Sequence, residues 1–252
     1  MLKAVLFDMG DTLLQRQPAD GRARAWLMNT ALHTAIAARY PAVPLPSPAA
    51  LDAQLAALNR RHHPVHTRDQ LLEHLVAATR WPLDPHDPDL LTAWHQPLIA
   101  SSHTERDLPR TLAALQALGL RLAIISNTQW RGPWRDQELA QNGIVDYFPV
   151  RIYSADLQIE KPDARIFAAA LAALPDVAPA EAIYVGDNLQ SDVGGAHAAG
   201  LWTAWLAPLG VLAPPADIPV LPDLVLTGLH ELPDKLVRQF ALPRATLPGV
   251  GG

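Results

Sequence analysis

Four short stretches of this chain concentrate side chains able to do chemistry. They are Asp8-Met-Gly-Asp-Thr12, Ser126-Asn127-Thr128, Glu160-Lys161-Pro162-Asp163 and Gly186-Asp187-Asn-Leu-Gln-Ser-Asp192. Together they supply a carboxylate able to act as a nucleophile, a hydroxyl donor, a fixed cation and a pair of acids. Acids from separate stretches, without Cys or His beside them, suit a hard, oxygen-liganded cation such as Mg²⁺. A lysine and a serine can neutralise phosphoryl oxygens, which is most of the work in phosphoryl transfer. Each residue also has a plain reading. Asp8, Asp187 and Asp192 can cap helices, Ser126 can end a strand, and Lys161 can sit in solvent at a helix entry.

The elements that must position these residues are legible around them. Lys3–Asp8 is a short apolar run ending on an acid, the pattern of a parallel strand covered on both faces. Arg121–Ser126, Ala182–Asp187 and Trp202–Leu206 repeat the form, and Val150–Tyr153 is a weaker copy. Helical stretches alternate with them. Leu108–Leu118 closes on Gly119, a helix-stop signal; Asp163–Leu174 stops before Pro175, and Asp192–Ala199 before Gly200. Alternating strand and helix predicts an open parallel α/β sheet of the Rossmann-like type. Its ligands should bind at the carboxyl ends of the strands, where Asp8, Ser126 and Asp187 fall.

Residues 15–105 read differently. Helices are expected at Gly21–Arg39, Pro48–His62, Thr67–Thr79 and Pro88–Ala100, separated by Pro-rich joints, with no strand among them. The expected organisation is a core of residues 1–14 and 106–240, a helical insert of 15–105 and a loose tail of 241–252. An insert placed after the first strand overhangs the strand ends.

The order and spacing of the four stretches resemble the haloacid dehalogenase-like hydrolase superfamily, over nearly the whole core. The insert resembles that family's helical cap. The resemblance implies an aspartyl-phosphate formed on Asp8, with Ser126 bonding a phosphoryl oxygen and Lys161 pairing with Asp8 and the phosphoryl charge. Thr12 would support the loop and Asn127 would offer its backbone N–H, both on the substrate side. The implied cofactor is Mg²⁺, held by Asp8, Asp187, Asp192 and the carbonyl of Gly10. The implied partner is a small anionic phosphorylated substrate.

Gly10 is the departure. Most phosphatases of the family carry there an Asp that protonates the leaving group and later activates water. In this chain the acid, Asp11, stands one residue later. Losing a general acid/base costs about 10²–10⁴-fold in rate. Three readings stay open: a Mg²⁺-dependent phosphatase using a good leaving group or a surrogate acid from the insert, a catalytically impaired phosphate-binding or regulatory protein, and a hydrolase of carbon–halogen bonds. The acid pair argues against the last, because the family's dehalogenases work without metal. The family's Schiff-base branch needs a lysine in the cap, and Lys3, Lys161 and Lys235, the three lysines, all lie outside the insert.

Composition narrows the classes further. The 252 residues are 49% hydrophobic and 18% charged, as in a packed globular chain. With no cysteine, disulfides and thiolate chemistry are excluded. A net charge of −5 argues against general nucleic-acid binding. Residues 193–216 lack Asp, Glu, Lys and Arg, but their glycines and prolines favour strand and loop over a membrane span. A cytoplasmic location is expected. His63-x-x-His66 lacks a spaced third ligand, so a polar surface is expected there. Arg16, Arg22, Arg24, Arg60 and Arg61 are expected mostly on solvated helix faces. Trp130-Arg-Gly-Pro-Trp134-Arg135 is expected to pack, with contact to substrate or an interface as the other uses.

Overall fold

The computed structural model describes residues 1–62 and 67–243. In chain order the elements are β1 (Ala4–Phe7), β2 (Gln15–Arg16), α1 (Gly21–Arg39), α2 (Pro48–His62), α3 (Arg68–Thr79), α4 (Pro88–Ser101) and β3 (Ser102–His103). Then come α5 (Leu108–Ala117), β4 (Arg121–Ser126), α6 (Gly132–Gln141), β5 (Val150–Tyr153), α7 (Ser154–Leu157), α8 (Ala164–Ala172) and β6 (Ala182–Gly186). A π-helical turn (Leu189–Gly194), α9 (Gly195–Ala198), β7 (Trp202–Leu206), β8 (Leu224–Leu226) and α10 (Leu232–Phe240) complete the chain.

Six strands form one parallel sheet in the order β5-β4-β1-β6-β7-β8. Because side chains alternate across a strand, β1 feeds two layers. Val5 and Phe7 join Leu112, Leu115, Leu139 and Leu236 on the face covered by α5, α6 and α10. Ala4 and Leu6 join Ile166, Phe167 and Ala196 on the face covered by α8 and α9. This is the expected Rossmann-like α/β core. The four buried residues of β1 explain why its sequence shows no polar alternation.

Helices α1 to α4 gather a second hydrophobic cluster around Leu32, Ile36, Leu51, Leu72, Leu90 and Trp94, which Trp130 and Trp134 join from the chain beyond β4. Helix α3 begins with a reciprocal cap: the Gln70 N–H donates to Thr67 Oγ1, and the Thr67 N–H to Gln70 Oε1. The absence of a strand from 15–105 does not hold. Gln15–Arg16 and Ser102–His103 pair antiparallel, so the two connections to the core run side by side. Two-residue strands are too short for alternation to show in a sequence.

Two further expectations are corrected. Asp163 caps α8 from outside, its side chain accepting the Arg165 N–H. The helix expected from Asp192 is instead a π-helical turn followed by the short α9. No helix among the described residues is long and apolar enough to cross a membrane. The pair His63 and His66 lies outside the described residues, as does 244–252 of the tail.

Candidate active site

Three neighbouring strands deliver the reactive side chains to one edge. Asp8 follows β1, Ser126 ends β4, and Asp187 follows β6; β4 and β6 flank β1 on either side. Lys161 arrives from the segment between α7 and α8. All four line one cavity of about 450 Å³, together with Gly10, Asp11, Asn127 and Asp192.

Lys161 is the centre of the arrangement. Its buried Nζ donates to Asp8 Oδ1 at 2.6 Å, to Asp192 Oδ1 at 2.7 Å and to the Tyr184 hydroxyl at 2.7 Å. Burial alone would lower the lysine's pKa, but Asp8 and Asp192 outweigh it and hold the ammonium above its ordinary value. The Tyr184 hydroxyl in turn donates a hydrogen bond to the carbonyl of Ile125 at 2.8 Å. The Asn127 side chain fixes the lysine's backbone from both sides, donating to the Lys161 carbonyl at 2.9 Å and accepting its N–H at 2.8 Å. Asn127 therefore has a positioning contact that its expected backbone role did not include.

Asp192 can reach the strand end because residue 186 is a glycine. A Cβ there would lie 2.3 Å from Asp192 Oδ2. That oxygen accepts the Asn188 N–H at 3.0 Å. Carboxylate oxygens of Asp8, Asp187 and Asp192 lie within 4.8 Å of one another. Burial, and then Asp8, Asp192 and Asp11, push the Asp187 carboxyl up to about 7. Such crowding of hard oxygen donors fits a small divalent cation, whose charge would relieve it. Thr12 is buried and does not line the cavity; its hydroxyl donates to Asp187 Oδ1 at 3.3 Å.

Asp11 lies on the cavity rim with φ of 57°, in the left-handed region. That conformation suits a glycine best and an Asp tolerably.

The space a side chain at residue 10 would take is already used. A Cβ on Gly10 would lie 2.8 Å from Arg16 Nη1. The expectation that Arg16 is solvated fails. Its side chain is largely buried, folds back from β2 over Gly10, and donates to Glu138 Oε2 at 3.2 Å. Arg135 and His95 meet the other oxygen of the same carboxylate, His95 at 3.1 Å. Burial alone would raise the Glu138 pKa, but Arg135, His95 and Arg16 together hold it down to about 2. The ring of His95 does not line the cavity, and no histidine does among the described residues.

Trp130 is buried and packs edge-on against Trp94 at 5.8 Å and close to His95 at 4.6 Å, so packing is its main use; it also touches the cavity wall.

Tyr184 and Glu138 were missed from sequence. Tyr184 sits in an otherwise apolar strand, and a hydroxyl in such a run is itself the signal, since it must find a partner. Glu138 lies on α6, whose apolar face is too sparse to announce a helix.

A family model described as haloacid dehalogenase-like hydrolase matches residues 2–200. The chain is 30% identical over 209 residues to a glyceraldehyde 3-phosphate phosphatase of Methanopyrus kandleri, covering 81% of this chain and 83% of that protein. It is 37% identical over 121 residues to a phosphoserine phosphatase of Thermus thermophilus, covering 48% of this chain and 46% of the other. Among solved structures, a 2-haloacid dehalogenase from Pseudomonas syringae matches with a TM-score of 0.70 and 24% identity, over 95% of this chain and all of that one. A phosphatase from Thermococcus onnurineus matches with a TM-score of 0.65 and 21% identity, over 96% and 100%. At those identities the structural likeness speaks for the fold.

Proposed function

From the premise that the chain belongs to the haloacid dehalogenase-like hydrolase family, we propose that it is a Mg²⁺-dependent phosphatase of a small phosphorylated metabolite, acting through an aspartyl-phosphate on Asp8. The observation that carries the reading is Lys161, held between Asp8 and Asp192 beside a three-carboxylate cluster. The phosphatase names of the curated relatives point the same way.

Lys161 engages one oxygen of Asp8, which leaves the other to attack phosphorus. The new O–P bond forms as the ester O–P bond breaks, and the freed alkoxide must gain a proton. Water then cleaves the aspartyl-phosphate, releasing phosphate and restoring Asp8. Lys161 and Ser126 carry phosphoryl charge in both steps. Asp8, Asp187, Asp192 and the Gly10 carbonyl would hold the cation, which supplies charge neutralisation when bound. Helices α1 to α4 would act as the cap, closing the cavity and selecting substrate.

Proton transfer is the weak link. Gly10 offers no side chain, and Arg16, the group standing over it, is a cation that steadies charge without giving up a proton. That observation favours a second reading, a phosphate-binding protein that turns over poorly.

The test is phosphate release from a panel of phosphorylated metabolites and an activated aryl phosphate, with Mg²⁺ and with EDTA, beside Asp8→Asn. Metal-dependent turnover lost in the variant is expected. Turnover of the aryl phosphate alone would show that Gly10 confines the enzyme to good leaving groups. Phosphorylation of Asp8 once per chain, without release, would favour the binding protein. Carbon–halogen cleavage that survives EDTA would sink the metal-dependent reading.

A further inference from the structure

The cavity that holds Asp8 is lined by five cations, and their partners divide them into two groups. Lys161 is matched by Asp8 and Asp192, while Arg16 and Arg135 share Glu138. The other two come from the helical insert and have no carboxylate partner among the described residues. Arg24, on α1, donates to the carbonyls of Pro18 and Ala19. Arg68, the first residue of α3, lies over the face of Trp94 with its guanidinium carbon 5.2 Å from the ring centroid.

Arg68 is the more telling of the two. Its Nε is cut off from solvent and has no hydrogen-bond partner. Desolvation with no compensating acid pushes its pKa down to about 10. A half-buried cation without a carboxylate partner is costly, and a guanidinium that lines an open cavity keeps donors available to whatever enters. Its position is fixed by the site itself. The Arg68 backbone N–H donates to the Gln129 carbonyl at 2.9 Å, three residues beyond Ser126, and the neighbouring Asp69 accepts from Arg131 at 3.1 Å. The insert thus brings Arg68 to the wall facing the strand ends.

We propose that Arg68, assisted by Arg24, forms a subsite for a second anionic group, so that the substrate is a short phosphate ester carrying a carboxylate or a second phosphoryl at its other end. This rests on the phosphatase reading for the fate of the first phosphoryl group and deepens it by naming the substrate class. The size agrees: about 450 Å³ lies low in the range of about 300–1,000 Å³ typical of small-ligand sites. A planar guanidinium takes either anion through paired hydrogen bonds.

The test is binding rather than turnover. Calorimetric titration of the Asp8→Asn protein with Mg²⁺ would compare inorganic phosphate, glycerol phosphate, phosphoglycerate and propanediol bisphosphate. At least one doubly anionic ester should bind about tenfold or more tighter than glycerol phosphate. Adding Arg68→Met should bring that ratio close to one, with Arg68→Lys in between. A preference for phosphoglycerate identifies a carboxylate, and one for the bisphosphate a second phosphoryl. Equal affinity for all the esters overturns the proposal, as does a preference that survives Arg68→Met combined with Arg24→Gln. An equal loss for inorganic phosphate and for the doubly anionic esters overturns it too, since Arg68 would then serve the transferred group. Arg68→Met removes a half-buried charge that has no carboxylate partner and keeps an unbranched side chain over Trp94, so it should melt no lower than its parent. Failure of the phosphatase reading shows separately, as no phosphate release by the unaltered protein.

Discussion

At the scale of single residues, two glycines set what the site can be. Gly186 admits Asp192 to the strand end, and a methyl group there would collide with its carboxylate. Gly186→Ala is therefore expected to cost about 1–3 kcal/mol in urea unfolding, the usual range for overpacking. It should also weaken Mg²⁺ binding. Gly10 admits Arg16 instead. Restoring an acid with Gly10→Asp would place it against the guanidinium, which favours the ionised carboxylate over the proton-donating form. Turnover of alkyl phosphates should rise little in Gly10→Asp alone. In Gly10→Asp with Arg16→Ala it should rise by up to about 10²-fold, the low end for a general acid. Equal gains in the two proteins would remove Arg16 from the account. These choices were half legible. The departure at Gly10 is plain in the sequence, but the arginine that fills its space stands six residues away and is brought back to it by the turn in which the Leu13 and Leu14 N–H groups donate to the Met9 carbonyl.

Among elements, the join between insert and core is the informative one. Glu138 on α6 binds Arg16 from β2, His95 from α4 and Arg135 from its own helix, so a single carboxylate ties three elements together. Removing one partner of a buried ionic cluster leaves the others uncompensated. Glu138→Ala should cost about 3–5 kcal/mol, read by chemical denaturation. The pH dependence has a defined sign. The Glu138 pKa falls from 4.5 to about 2 on folding, so its contribution is complete above about pH 4.5 and drains away as pH falls toward 2. The stability gap between parent and variant should shrink over that window, and a gap constant from pH 6 to pH 2 would count against the assignment. Strands β1, β4, β6 and β7 were readable because burial on both faces leaves unbroken apolar runs, whereas β8 at the sheet edge, three half-buried to buried residues long, was not read from the sequence. Helix α6 was not either, because its buried residues include Arg135 and Glu138, which read as surface charge until their pairing is seen.

For the whole molecule, the sheet gathers acids from the ends of β1 and β6 and the following turn into a crowded cluster, and a bound divalent cation would stabilise only the folded arrangement. Saturation to 100 times the dissociation constant adds about 2.7 kcal/mol. Mg²⁺ should raise the melting temperature of the parent, with the shift abolished in Asp187→Asn; an unchanged parent would argue against a metal site. That three of the sequence's motifs converge was foreseeable from the rule that α/β sheets bind ligands at their carboxyl ends. What the insert contributes was not, since the depth of a helix-borne arginine depends on how the helices dock.

The tryptophans at that docking surface have an optical consequence. Trp94 belongs to the insert, while Trp130 and Trp134 belong to the core, with ring centroids 5.8 Å apart for the first pair and 5.7 Å for the second. Indoles this close couple their electronic transitions, and the sign and size of that coupling follow the angle between rings. The far-ultraviolet circular dichroism of the unlabelled protein should therefore carry an exciton signal, of which Trp94→Phe removes the Trp94–Trp130 part and leaves the Trp130–Trp134 part. Any ligand that reseats the insert on the core would change that signal, giving the closure proposed above a spectrum of its own.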